Sequence, residues 1–209
     1  MINRAQVKIC GITRAADAEK CAKLGADMIG LNFYSESRRY IEPEIARQIV
    51  ETVSPRVCAV GVFVEPTADE VRKIAAVAGL RCVQLHGNIS PDTCRELAEE
   101  FRVIRALRTH KWFRAEDAQL VSGCDVLIDA YHPDLPGGTG QICDWSMARA
   151  TLPFARFLIL SGGLNAKNVS EAITTVAPHA VDVCSGVERA PGVKDHRAIE
   201  EFIAAVRTL

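Results

Sequence analysis

Two side chains able to exchange protons, Cys10 and Asp129, each stand at the end of a short apolar, β-branched run. A thiol becomes a competent general base once nearby charge lowers its pKa from the unperturbed value of about 8.5. By residue type alone Cys10 reads equally as a small buried hydrophobe, since seven other cysteines share the chain. Asp129 closes the run from Asp125. A carboxyl group there, partly shielded from water, can keep its proton near neutral pH and donate it as a general acid, or it can cap the N–H groups of the following loop. Arg39 offers a planar fork suited to a carboxylate, against a reading of Arg38 and Arg39 as a solvated pair. His86 closes another apolar run and is a candidate substrate contact, although a hydrogen-bonded structural histidine is the commoner outcome. Asp182, inside a further run, is a candidate for the interior of a closed sheet and receives no role.

Glycines gather where an anion would need them. Ser161-Gly162-Gly163-Leu164-Asn165 and Ser185-Gly186-Val187-Glu188 both follow apolar runs, and Gly138 lies in the irregular Pro- and Gly-rich stretch from His132 to Gly140. Such loops let backbone N–H groups approach a phosphate, or they only shape tight turns. The candidate substrate-binding set is therefore Arg39, His86, Gly138, Gly162, Gly163, Ser185 and Gly186, and the expected ligand is a phosphorylated small molecule.

Eight apolar runs are expected to be the strands that position these groups: Val7 to Cys10, Met28 to Phe33, Val57 to Phe63, Cys82 to His86, Val103 to Leu107, Asp125 to Asp129, Phe157 to Leu160 and Val181 to Cys184. Between them apolar residues recur at i, i+3, i+4 and i+7, as in Ala18, Cys21, Ala22, Gly25, in Cys94, Leu97, Ala98, Phe101, and in Ile199, Phe202, Ile203, Val206. Helix starts carry their own signals: Thr67 with Glu70 as a capping box, Ser90 before Pro91, and Asn165 after Gly163. The weakest helical segments are Ala115 to Val121 and Trp145 to Ala150. Strict alternation predicts an α/β chain folded as one (β/α)8 barrel over residues 1–209, eight parallel strands ringed by helices. An open doubly wound sheet is the alternative, but Cys10-Gly11-Ile12-Thr13 is not the nucleotide fingerprint expected after its first strand. In a barrel the candidate residues would share the C-terminal face.

A formal net charge of -1 over 209 residues argues against nucleic acid as a partner. No two cysteines have zinc-ligand spacing, so no bound metal is expected. Met1 to Thr13 lacks the apolar run of a signal peptide and no stretch is long enough to span a bilayer, so a cytoplasmic protein without membrane partners is expected, as monomer or homodimer.

Val7-Lys8-Ile9-Cys10-Gly11-Ile12-Thr13 resembles the opening motif of the phosphoribosylanthranilate isomerase family. The likeness continues in order through Gly25-Ala26-Asp27, Ser37-Arg38-Arg39-Tyr40, Gly61-Val62-Phe63-Val64, Val83-Gln84-Leu85-His86-Gly87, Gly137-Gly138-Thr139-Gly140, Asp144-Trp145, Leu160-Ser161-Gly162-Gly163-Leu164 and Val181 to Glu188. The resemblance implies a cofactor-free Amadori rearrangement of N-(5-phosphoribosyl)anthranilate in tryptophan biosynthesis. It implies Asp129 as general acid, Cys10 as general base and Arg39 as the holder of the anthranilate carboxylate. Cys184 departs from the pattern, standing where the family often has a serine, and Asn32 is more polar than its strand suggests. The related barrel isomerase of histidine biosynthesis resembles a design with aspartate at both positions, which Cys10 contradicts. A sensor that binds phosphorylated metabolites without turnover would need neither proton-transfer group.

Overall fold

The computed structural model describes residues 4–109, 112–130 and 144–208. The apolar runs form β1 (Gln6–Ile9), β2 (Met28–Asn32), β3 (Cys58–Val64), β4 (Cys82–His86), β5 (Arg102–Thr109), β6 (Asp125–Ala130), β7 (Leu158–Leu160) and β8 (Ala180–Val183). They close into a barrel in sequence order. β1 is the seam: it pairs in parallel with β2 through Lys8 and Met28, and with β8 through Lys8 and Asp182. That second pairing excludes the open sheet.

Strand alternation sends successive side chains to opposite faces and so creates two cores. Met28, Val60, Cys82, Ile104, Leu127, Ile159 and Ala180 fill the barrel interior. Val7, Ile29, Leu85, Val126 and Leu160 face outward and meet the helices. These are α1 (Ala15–Leu24), α2 (Pro43–Val53), α3 (Ala68–Ala78), α4 (Pro91–Ala98), α5 (Trp145–Thr151), α6 (Val169–Val176) and α7 (His196–Arg207). The weak segment at Ala115–Val121 is a 3-10 helix.

Thr67 forms the expected capping box, and the Ser90 hydroxyl accepts from Thr93 N at 3.0 Å. Three helix-end expectations need correction. Gly25 is not on the helical face but ends α1 with φ 87, a left-handed conformation that glycine adopts without steric cost. Phe101 lies past α4, which stops at Ala98. The N-cap of α6 is Asn168; the Asn165 side chain accepts from Lys167 N at 2.9 Å and so shapes the turn before that helix.

A small antiparallel pair, β9 (Glu188–Ala190) and β10 (Val193–Lys194), follows a 3-10 turn after β8 and was not anticipated. Its signal is Pro191-Gly192, a proline followed by a residue at φ 78, the combination a tight turn favours.

Candidate active site

The C-terminal ends of the strands surround a cavity of about 530 Å³. Cys10, Arg39, His86, Asp129, Gly162, Gly163, Ser185 and Gly186 all line it, so every predicted site residue among those described is brought together. Gly138 lies outside the described residues. Cys10 and Cys184 each sit one position beyond the strand end expected to contain them, on the rim of the barrel.

Cys10 is held by its N–H donating to Val183 O at 2.8 Å. Its thiol occupies space left by a glycine on the neighbouring strand: a Cβ on Gly30 would lie 2.6 Å from Cys10 Sγ. The Cys184 thiol hydrogen-bonds Cys10, and against the cost of burial this bond, with the charges of Lys8 and Lys194, pulls the Cys10 pKa down to about 6. The same contact and burial push the Cys184 thiol well above its ordinary value.

Below Cys10 lies a charge lattice that the sequence reading did not assemble. Lys8, fully buried, pairs with Asp182 at 2.7 Å, and Asp182 also accepts from Ser161 Oγ at 2.9 Å. Burial opposes the charged form of Lys8, but Asp182 and Cys10 outweigh it and hold the ammonium above its usual range. Lys194, equally buried, donates to Glu188 Oε1 at 2.9 Å and to Cys184 O at 3.1 Å. Glu188 in turn accepts from one edge of the Arg39 guanidinium, Nε to Oε1 at 2.9 Å and Nη2 to Oε2 at 2.7 Å. Burial raises the Glu188 carboxyl, yet Arg39 and Lys194 prevail and keep it below the usual carboxylate range. Lys8, Arg39 and Lys194 supply three positive charges against two from Asp182 and Glu188. The surplus of one favours a thiolate at Cys10.

A signal for part of this lattice was available. Lys8 and Asp182 each interrupt an otherwise apolar strand, and opposite charges inside the first and last strands of a closed sheet face one another. Glu188 and Lys194 depend on the unanticipated hairpin, and nothing in residue type pointed to them.

Asp129 is buried on β6 beside Arg108 of β5 in register, and its carbonyl accepts from Thr109 Oγ1 at 3.4 Å. His86, also buried, has Nε2 2.6 Å from Gln84 Nε2 on the same face of β4. Gly162 and Gly163 have φ of 90 and 64, which turns the β7 loop sharply across the mouth. Gly186 lets the β8 loop press on that loop: a Cβ there would collide with Leu164 O. The two glycine loops thus form one continuous wall.

Among the described residues, no helix is long and apolar enough to cross a membrane, and no cluster of three or more His, Cys, Asp or Glu is arranged to hold a metal.

Fold and cavity together define a (β/α)8-barrel enzyme with its site at the strand C-termini. A family model for N-(5'phosphoribosyl)anthranilate (PRA) isomerase matches residues 7–205. The chain belongs to that family, the phosphoribosylanthranilate isomerases of tryptophan biosynthesis. It is 44% identical over 200 residues to the N-(5'-phosphoribosyl)anthranilate isomerase of Trichlorobacter lovleyi, covering 95% of this chain and 96% of that one. The crystal structure of phosphoribosyl anthranilate isomerase from Thermotoga maritima superposes with a TM-score of 0.91 at 41% identity, covering 98% of this chain and all of that one. A phosphoribosyl anthranilate isomerase in complex with reduced 1-(o-carboxyphenylamino)-1-deoxyribulose 5-phosphate gives a TM-score of 0.88 at 40% identity, with 98% and 100% covered.

Proposed function

We propose that in this isomerase Asp129 is the general acid, Cys10 the general base and Arg39 the carboxylate clamp for N-(5-phosphoribosyl)anthranilate. The observation that carries the reading is a thiol of depressed pKa opening on the same cavity as a buried carboxyl three strands away round the wall. Asp129 protonates the furanose ring oxygen, the C1–O bond opens, and the nitrogen lone pair forms a protonated imine. The Cys10 thiolate removes the C2 proton, and the C2–H electron pair moves into the imine. The resulting enolamine tautomerises to 1-(2-carboxyphenylamino)-1-deoxyribulose 5-phosphate. The protonated imine is itself the electron sink, so one acid, one base and a clamp are sufficient.

With Nε and Nη2 committed to Glu188, Arg39 presents its Nη1 edge to the anthranilate carboxylate. Glu188, locked by Lys194, is a positioning residue for that clamp. Gly162, Gly163, Ser185 and Gly186 offer the backbone wall on which the phosphate sits.

The test is the loss of substrate fluorescence on adding purified wild type, Cys10→Ser or Asp129→Asn. Each variant should lose on the order of 10²–10⁴-fold in kcat while product binding changes little. Wild-type turnover by either variant removes that residue from the mechanism.

A further inference from the structure

We propose that Cys10 and Cys184 form an oxidisable thiol pair at the barrel mouth, which a hydroperoxide closes to a disulfide. The modification goes beyond the isomerisation; only its effect on turnover rests on the reading of Cys10 as base.

The pair is set by strand register. Ile9 lies opposite Val183 across the seam, so Cys10 and Cys184 face one another one residue further on, both on the cavity wall. Adjacent strands stand about 4.7–4.9 Å apart, within the roughly 4.4–6.8 Å between Cα atoms that a disulfide spans. Cys184 Sγ lies against the residue after Cys10, 3.0 Å from where a Cβ on Gly11 would stand, and each thiol shifts the ionisation of the other. Two other thiol contacts differ in access. Cys94 and Cys124 are both buried, and Cys82 is buried against Cys58 in the barrel-interior core. Among the described residues, Cys10 and Cys184 are the one neighbouring pair of cysteines in which both residues are partly exposed and both line the cavity.

Each step balances. The Cys10 thiolate attacks one peroxide oxygen, an S–O bond forms as the O–O bond breaks, and the departing alkoxide takes a proton to leave as the alcohol. Cys10 is then a sulfenic acid, two electrons poorer. The negative charge that opposed ionisation of Cys184 has gone, while Lys194 Nζ remains 4.0 Å from its sulfur. Cys184 attacks the Cys10 sulfur, an S–S bond replaces the S–O bond, and the released hydroxide leaves as water with the Cys184 proton. Overall two thiols and one hydroperoxide yield a disulfide, an alcohol and water.

Cys184→Ser keeps a hydrogen-bond donor beside Cys10 and removes the resolving sulfur. The experiment treats the purified full chain with hydrogen peroxide, maps peptides by non-reducing mass spectrometry, then adds dithiothreitol and measures turnover relative to each protein's own starting rate. Wild type should give a Cys10–Cys184 linked peptide two hydrogens lighter than the free pair, lose turnover and regain most of it with the reductant. Cys184→Ser should lose turnover and regain little, because its sulfenic acid proceeds to sulfinic acid. Absence of the linked peptide in wild type, or equal recovery by the two proteins, overturns the proposal. A linked peptide with turnover intact supports the pair and overturns Cys10 as base, so the two claims fail separately.

Discussion

Removing the Cys184 sulfur should move the acid limb of the pH–rate profile to higher pH. The hydrogen bond from Cys184 is the largest influence on Cys10, whose pKa stands at about 6. A hydrogen bond to a charged group contributes about 1.5–3 kcal/mol, which at roughly 1.4 kcal/mol per pKa unit is one to two units. In Cys184→Ala the Cys10 pKa should therefore rise to about 7–8. The sign follows from the base being the charged form: a higher pKa means less thiolate at any pH below it. At pH 6 half of Cys10 is thiolate in the wild type; in the variant about one part in ten to one in a hundred remains, so kcat/KM falls roughly 5- to 50-fold. Above pH 9 both proteins are fully ionised and the gap should close to within about twofold. The assay is kcat/KM by substrate fluorescence from pH 5 to 9.5. The substrate phosphate titrates near pH 6 in both proteins, so the displacement between curves is the readout. Cys184→Ser retains an O–H donor and should shift less. Coincident limbs for wild type and Cys184→Ala would refute the account of how Cys10 is activated.

At pH 9, where Cys10 is ionised with or without the guanidinium charge, Arg39→Ala should raise KM with kcat within a few-fold, and Glu188→Gln should raise KM by less because the guanidinium keeps one hydrogen-bonding partner; steady-state kinetics with KM unchanged in Arg39→Ala would contradict the clamp. Lys8→Met leaves the Asp182 charge buried without its ammonium, which should cost about 3–5 kcal/mol in urea unfolding; adding Asp182→Leu should restore part of that loss. Gly186→Ala forces the two glycine loops apart at Leu164 O, and displacement of substrate by about 1 Å should reduce kcat/KM up to 10²-fold.

Strand positions were legible because buried parallel strands leave continuous apolar runs, and the rim residues Cys10 and Asp129 followed from where those runs stop. Helix ends were less so: Gly25 and Phe101 continue the apolar spacing past the point where a left-handed glycine or the turn before the next strand has taken over, and period alone does not distinguish these from a further helical turn. The charge lattice was hidden for a different reason. Lys8 and Asp182 become partners only through seam register, and Glu188 and Lys194 meet through a hairpin whose turn dipeptide was visible but whose strands are too short to leave a pattern. Glu188 also changes the meaning of Arg39, from an open fork to one with a committed edge.

The seam sets a clock on the nascent chain. Lys8 and Asp182, which tune the base, are 174 residues apart, and Cys10 meets Cys184 only in the same closing act. At synthesis rates of about 5–20 residues per second, the first strand waits on the order of ten seconds or longer for its partner. Throughout that interval Cys10 lacks both the donor and the buried cations, and it behaves as an ordinary, mostly protonated thiol. Reactivity of this one thiol is therefore a reporter of barrel closure: with a low-concentration alkylating probe at neutral pH and labelling read peptide by peptide, Cys10 should react faster in finished chains than in stalled ones, while the buried Cys21, Cys82, Cys94 and Cys124 should do the reverse. The same logic bears on dissecting this barrel, since a fragment lacking β8 would carry Cys10 without its activation.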